Sequence, residues 1–501
     1  MLTIQTGGFP VVATRRRATP ALTFAGVTLS FLGLFLAAGA PSPLLRLEQQ
    51  AWGFPVWLLT IAFASYAIAL LAALLVAGSL SDYIGRRPVL IGALGVEAAA
   101  MLIFLLAPNI GWVIAARTVQ GIATGAAVSA FTAAAAEYAP AKHRKLGVLA
   151  GSVAPAAGLG LGALIAGLAV QFTAAPGTVI FTFLAVFFVL GMIVVIASGE
   201  TVARRGGALR SLAPRVSVPR LARSEFFASI PVHIATWMLG GLYLGLVPSI
   251  LPRVFNSGSG LVTGLAILSL SGTGALAGFG FGFAPARSAV ILGGSLTITG
   301  TALTLFSIIT GLLPLFFAGS VIAGAGFGAS FSGALRIIAP IAEAHERAEL
   351  FAAIYVVSYL SFSLPVVIAG LLVSTAGLRS TAVVYGGVVI TAAVAGLIWQ
   401  AGLGWQTEKL PTRPGGLLPF LIGGLVRPDA DVVGFLGQFD PVPDAEAPGH
   451  RARELDPAGP VQRRVLPGVQ GGLAALVRGG VAYRLTARLA VPDRDRPADL
   501  R

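Results

Sequence analysis

Long apolar runs separated by short polar breaks set the pattern of this chain. In the first half they fall near residues 21–42, 56–77, 88–107, 110–135, 146–170 and 178–198, and in the second near 228–250, 261–283, 289–311, 313–338, 350–375 and 380–402. At about 1.5 Å rise per residue, each is long enough to cross a hydrocarbon core about 30 Å thick. Only helices and closed barrels satisfy the backbone in lipid, and these runs lack the short alternation of barrel strands. The pattern therefore predicts an all-α polytopic membrane protein with about twelve transmembrane helices in two six-helix halves. The expected divisions are a segment 1–20, a first half 21–198, a linker 199–227, a second half 228–402 and a tail 403–501.

Composition agrees with that class. Of 501 residues, 56% are hydrophobic and 11% charged, and mean hydropathy is +0.87, well away from soluble domains. A net charge of +14 in a soluble protein would suggest nucleic acid; here the basic residues sit in short loops beside apolar runs and read as a topology signal, not as a nucleic-acid surface. One face collects Arg15 to Arg17, Arg86, Arg87, Lys142, Arg144, Lys145, the arginines from Arg204 to Arg223, Arg287 and Arg347, whereas the opposite loops offer Arg46, Arg253 and Arg379. This asymmetry predicts a multi-pass protein of the cell membrane (inner or plasma membrane) with both termini cytoplasmic. Ala38-Gly39-Ala40 mimics a signal-peptidase site, but the run from Ala21 is longer than a signal core and Pro41 would follow the cut, so an uncleaved first helix is expected. The tail, rich in Pro, Gly, Ala and Arg, reads as disordered.

The absence of cysteine excludes disulfides, thiolate metal sites and cysteine nucleophiles. No phosphate loop, H-E-x-x-H or G-x-S-x-G occurs, so neither ATP-driven transport nor hydrolysis is supported, and no enzyme activity, metal or cofactor is expected.

Between the second and third runs lies Gly78-Ser-Leu-Ser-Asp82-Tyr-Ile-Gly85-Arg86-Arg87-Pro88, in which glycines permit a tight turn and both signs of charge meet at one membrane face. This G-x-L-x-D-x-x-G-R-R-P stretch resembles the loop between helices 2 and 3 of the major facilitator superfamily. In the fourth run Arg117, Gln120, Gly121 and Gly125 resemble the R-x-x-Q-G-x-x-x-G motif of that family's twelve-span drug and proton antiporter branch. Glu137, Pro140 and Arg144 form E-x-x-P-x-x-x-R, and Pro155 with Gly158 matches part of an antiporter motif in which Ala154 and Leu159 replace glycines. The corresponding second-half loop around Arg287 has lost its acidic residue.

The resemblance implies a secondary transporter working by alternating access, with proton-coupled efflux of small amphipathic compounds as the favoured reading. Its partners would be a small-molecule substrate, protons and the lipid bilayer, and it would act as a monomer. Alternatives are uptake or facilitated diffusion of a neutral or anionic solute such as a sugar or organic acid, or a transporter-like membrane sensor using the tail. An offset of 203 positions places Gly121, Gly125, Ser129 and Arg144 on Gly324, Gly328, Ser332 and Arg347, as a parallel duplication would.

Several residues are candidates for the transport pathway. An arginine inside a span costs about 3 kcal/mol or more, so Arg117 is expected to face protein, water or a partner, either in proton or substrate handling or in a hydrogen-bonded link to a neighbouring helix. Glu97, a carboxylate near the middle of a span, is a candidate to bind and release protons; the alternative is pairing with Arg117 or a bond to the second span. Glu137 is expected to pair with Arg86 or Arg87 as an inner latch, and Asp82 to approach the start of the eleventh span near Glu346 to Leu350. His233 is expected about two turns into the seventh span, either lining the cavity or packed. Arg336 is expected to snorkel, and Trp237, Tyr243, Tyr355 and Tyr359 either line a cavity or pack.

Overall fold

The computed structural model describes residues 19–140, 144–343 and 346–407. The segment before Thr19, Lys142 and the tail beyond residue 407 lie outside the described residues. Within them, twelve helices are long and apolar enough to cross a membrane, and no strand occurs. We label them α1 (Pro20–Gly39), α2 (Val56–Ala77), α3 (Arg86–Leu105), α4 (Ile110–Tyr138), α5 (Arg144–Phe172), α6 (Pro176–Ala197), α7 (Arg223–Gly245), α8 (Gly260–Gly280), α9 (Ala286–Thr310), α10 (Leu313–Ile338), α11 (Arg347–Ala376) and α12 (Leu378–Thr407). Twelve crossings return the chain to the face from which α1 starts, here the near face; the other is the far face.

Local signals fix the ends. Thr19 accepts from Leu22 N at 3.4 Å with Pro20 opening α1, and the Asn109 side chain accepts from Gly111 N at 3.0 Å and Trp112 N at 3.4 Å to cap α4. The structure departs from the expected spans in three places. The first helix breaks at Ala40 and a second, Pro41–Trp52, continues it at the far face, because paired prolines restart the helix. α7 begins at Arg223, inside the expected linker, with Glu225 paired to Arg287 at 2.7 Å so that its charged first turn is neutralised. α12 runs on to Thr407.

The two halves pack alike. In the first, α1 packs on α5 and α6, α2 on α4, and α3 on α4 and α6; in the second, α7 packs on α11 and α12, α8 on α10, and α9 on α10 and α12. Each pair recurs six helices later. Gly121 and Gly125 of α4 lie so close to the α2 backbone at Tyr66 and Leu70 that a Cβ would strike it, and Gly324 and Gly328 of α10 press in the same way on α8 at Leu270 and Gly274. Small residues thus let the fourth helix of each half reach the second.

The halves meet through α2 against α11 and α5 against α8. Gly370, near the far end of α11, abuts Thr60, four residues into α2 from the same face. Phe63 and Phe362 rings lie 4.8 Å apart, Gly167 touches Gly260, and Ser259 donates to Gln171 at 2.8 Å. Among the described residues these direct joins run from mid-bundle to the far face.

Candidate functional site

At the near face, α2 ends at Ala77 and a short helix Ser81–Ile84 leads to Gly85. Gly85 has φ 100°, and a Cβ there would meet the Glu200 carboxylate at 2.5–2.8 Å, so only glycine fits this turn. Glu200, just after α6, accepts from Arg86 N at 2.9 Å and Arg87 N at 3.1 Å, capping α3, and from Thr201 N at 3.0 Å and Val202 N at 3.2 Å. Arg87 donates to the last carbonyls of α6, Val195 O at 3.2 Å and Ile196 O. Arg86 reaches Ser81 Oγ at 2.6 Å, Asp82, and Glu137 of α4 at 3.4 Å. Gly78 enters the same knot by accepting at its carbonyl from Ser129.

Arg86 and Glu137 do pair, but both belong to the first half, so the pair braces that half and does not bridge to the other. Asp82, 55% exposed, meets Arg86; the start of α11 is met by the linker, where Ser217 N donates to Glu349 O at 3.4 Å. Arg144 opens α5, and its side chain lies outside the described residues. Arg336 does not extend away from the bundle: it donates to Ala284 O at 2.6 Å and Phe281 O at 2.8 Å, tying α10 to the turn before α9.

Deeper in the first half, helical spacing places Arg117, Gly121 and Gly125 on the α4 stripe that packs against α2. Arg117, 2% exposed, donates to Ala62 O of α2 at 3.3 Å, Ala38 O of α1 at 3.1 Å and the Gln120 side chain at 2.8 Å. Its guanidinium also lies 4.4 Å above the Tyr66 ring centre, a cation–π contact. The hydrogen-bonded link to neighbouring helices is therefore present. Glu97 of α3 is fully buried and bonds neither α2 nor Arg117: Thr124 of α4 donates to it at 2.7 Å. Tyr66 Oη, Glu97 Oε2 and Gln120 Nε2 are buried with no hydrogen-bond partner among the described residues. Three unpaired polar atoms in one helix cluster are costly and mark a place where polar partners are needed.

Pro155 lies inside α5. A Cβ on Gly158 would stand 2.6 Å from Phe35 Cβ of α1, so the partial antiporter motif supplies a close α1–α5 contact.

Opposite the polar cluster, the second half presents aromatic rings. Trp237 of α7 lies 5.3–6.0 Å, centre to centre, from His233, Phe327, Phe331, Tyr359 and Phe362. His233 Nε2 sits 2.6 Å from Ser358 Oγ, beside a narrow crevice that it lines with Phe226, Ser229, Ala334 and Ile354. His233 is thus a packed residue, held by Ser358 and flanked by the Trp237 and Phe331 rings. Tyr355 stacks toward Tyr359 at 6.2 Å. Tyr243 is a core residue instead, its hydroxyl 2.6 Å from Ser320 Oγ.

Sequence reasoning missed Tyr66, Thr124 and Glu200. Thr124 had a signal, since positions 117, 120 and 124 share a helix face. Glu200 had a weaker one, as the acidic residue that follows the sixth apolar run and precedes the arginine-rich linker.

Residues 23–287, more than half of the chain, match the family profile of the Major Facilitator Superfamily. No curated protein matches the sequence. Among solved structures, a bacterial homolog of the human lysosomal transporter Spinster, in an inward-facing and unoccupied conformation, aligns with TM-score 0.61 at 12% identity, covering 76% of this chain and 97% of that one. The human organic anion transporter MFSD10 (TETRAN) aligns with TM-score 0.49 at 18% identity, covering 76% of this chain and all of the other. With the twelve spans and the matched segment, the chain belongs to the major facilitator superfamily.

Proposed function

We propose that this transporter works by alternating access and exports a small amphipathic compound in exchange for protons, with both termini in the cytoplasm and no enzymatic step. The observation that carries the reading is Glu97: a fully buried carboxyl held by Thr124 on one oxygen, with its second oxygen unpartnered among the described residues. A proton gained or lost there changes the charge beside Arg117 within the helix cluster facing the second half. The ring cluster around Trp237 gives an apolar, stacking wall suited to the ring or chain of an amphipath. Direct joins between the halves from mid-bundle to the far face fit a state open toward the near face.

A second reading has its own support. Arg117 bonds to carbonyl and amide oxygens and makes no ion pair among the described residues, so an anionic solute taken up without protons is the competing account. Purified protein in liposomes with a trapped pH dye, challenged with drugs, sugars and organic anions, separates them. Proton movement triggered by an amphipathic substrate supports antiport; substrate movement with no proton movement replaces it with the uniport reading.

A further inference from the structure

Among the described residues the direct joins between the halves run from mid-bundle to the far face. At the near face, the chain that crosses from one half to the other is the linker between α6 and α7. Its first part is fixed to the first half. Arg205 N donates to Tyr83 O at 2.8 Å, Ser79 Oγ donates to Ser211 O at 3.2 Å, and the short helix Ala208–Ser211 packs on Ser81–Ile84. Gly207, with φ 101°, lies close beside the Tyr83 ring, where a Cβ would stand 3.6 Å from Cε1.

The last part of the linker is fixed to the second half. Ser217 N donates to Glu349 O at the start of α11, at 3.4 Å, and Val218 packs into an apolar cluster with Phe226 of α7, Ile338 of α10, and Leu350 and Ile354 of α11. Arg223 Nε donates to Val218 O at 3.2 Å, so the first turn of α7 holds the same anchor. Between the anchors the chain is exposed from Ala213 to Ser217 and forms neither helix nor strand. Six residue steps separate Ser211 from Ser217, and an extended chain of that length reaches about 20 Å. Separation of the two anchor points beyond that distance pulls one anchor apart.

We propose that this linker is a strap that sets how far the near face can open. Opening carries the anchors apart until the connecting stretch is extended, and wider opening then requires release of an anchor. The anchor on α11 is the one that yields: its 3.4 Å bond is longer than the 2.8 Å and 3.2 Å bonds of the first anchor, and Val218 is only partly buried. The strap also connects the turn between α2 and α3 to the start of α11, through Tyr83 and Glu349, whereas Asp82 meets Arg86 instead. This rests on the alternating-access reading, and it adds to that reading a limit on one of the two states.

The chain has no cysteine, so Leu146→Cys at the start of α5 and Ser288→Cys at the start of α9, both exposed near-face positions, each take a spin label. Pulsed electron resonance in liposomes then reads the distance between the halves. Six Gly and Ser residues inserted between Pro214 and Arg215 lengthen the strap by about 20 Å, and the longest populated distances are expected to grow by about 5 Å or more, part of that added reach. Val218→Asp, which places a charge in the apolar cluster, is expected to give the same growth, and the insertion combined with Val218→Asp no more than either alone, as for two breaks in one strap. Distances unchanged by the insertion, or growth that adds in the combination, overturn the proposal. Where Val218→Asp does not fold, the insertion, placed in exposed chain, decides alone. The labels need no substrate: growth in a protein that moves no solute sinks the transport reading alone, and transport with distances unchanged by the insertion sinks the strap alone.

Discussion

Thr124 donates a 2.7 Å hydrogen bond to Glu97, joining α4 to α3 inside the first half. The same hydroxyl lies 3.0 Å from Gln120 O, so it is held in place by its own helix. A bond to a charged partner contributes about 1.5–3 kcal/mol. Thr124→Val keeps the side-chain volume and removes the donor; proton-coupled turnover is expected to fall by about ten- to a hundredfold, as that magnitude converts, and Thr124→Ser to retain most of it. Initial rates of dye-reported proton movement give the comparison.

Arg117 satisfies two helix-backbone carbonyls and the Gln120 amide with one planar group. Lysine keeps the charge without the fork geometry. Arg117→Lys is expected to lower both thermal stability and transport, because it cannot hold the α1 and α2 carbonyls together and leaving one of them unpaired costs about 1–3 kcal/mol. Melting of the detergent-solubilised protein and liposome uptake measure the two effects; a variant with parent values in both would remove Arg117 from the account.

Gly125 and Gly328 occupy matching places on α4 and α10, and each would drive a Cβ into the backbone of the second helix of its half. Overpacking costs about 1–3 kcal/mol and more when the obstacle is backbone. Gly125→Leu and Gly328→Leu are each expected to lower the melting temperature by several degrees or abolish folded yield, whereas Gly387→Leu, with nothing within 4 Å of its Cβ, leaves it unchanged. Fluorescence-detected size exclusion after heating reads all three.

Glu200 offers its carboxylate to four backbone N–H groups at the start of α3 and the linker. Glutamine keeps one accepting oxygen and turns an NH2 toward donors, so Glu200→Gln is expected to be destabilising by about 1 kcal/mol, as for loss of an exposed helix cap. Limited proteolysis between α6 and α7 is the sensitive measurement: faster cleavage at the arginines is expected, and an unchanged pattern would deny Glu200 its anchoring role.

The sequence carries the architecture because lipid allows few alternatives: long apolar runs must be helices, and the glycine pairs at 121/125 and 324/328 announce the duplicated α4 and α10 contacts. The site is legible where the chemistry is costly, as with Arg117 and Glu97 inside spans. It is less legible where contacts depend on three-dimensional neighbours. Glu97 meets Thr124 and not Arg117, and Glu200, distant in sequence from Gly85, decides why that glycine is needed. The helix Pro41–Trp52 is hidden because its mixed Leu, Arg, Glu and Gln content looks like a loop until the helix Val247–Val254, which follows α7, packs against it. The sequence points Asp82 toward α11, but approach across the halves depends on which face is closed, and periodicity carries no such information.

The most direct test of the central claim is dye-reported proton movement by Glu97→Gln beside the parent, in the same liposomes and with the same substrate. The account predicts that substrate exchange persists in Glu97→Gln while substrate-driven proton movement disappears. Proton movement at the parent rate in Glu97→Gln would contradict it, and would place the coupling group elsewhere in the bundle.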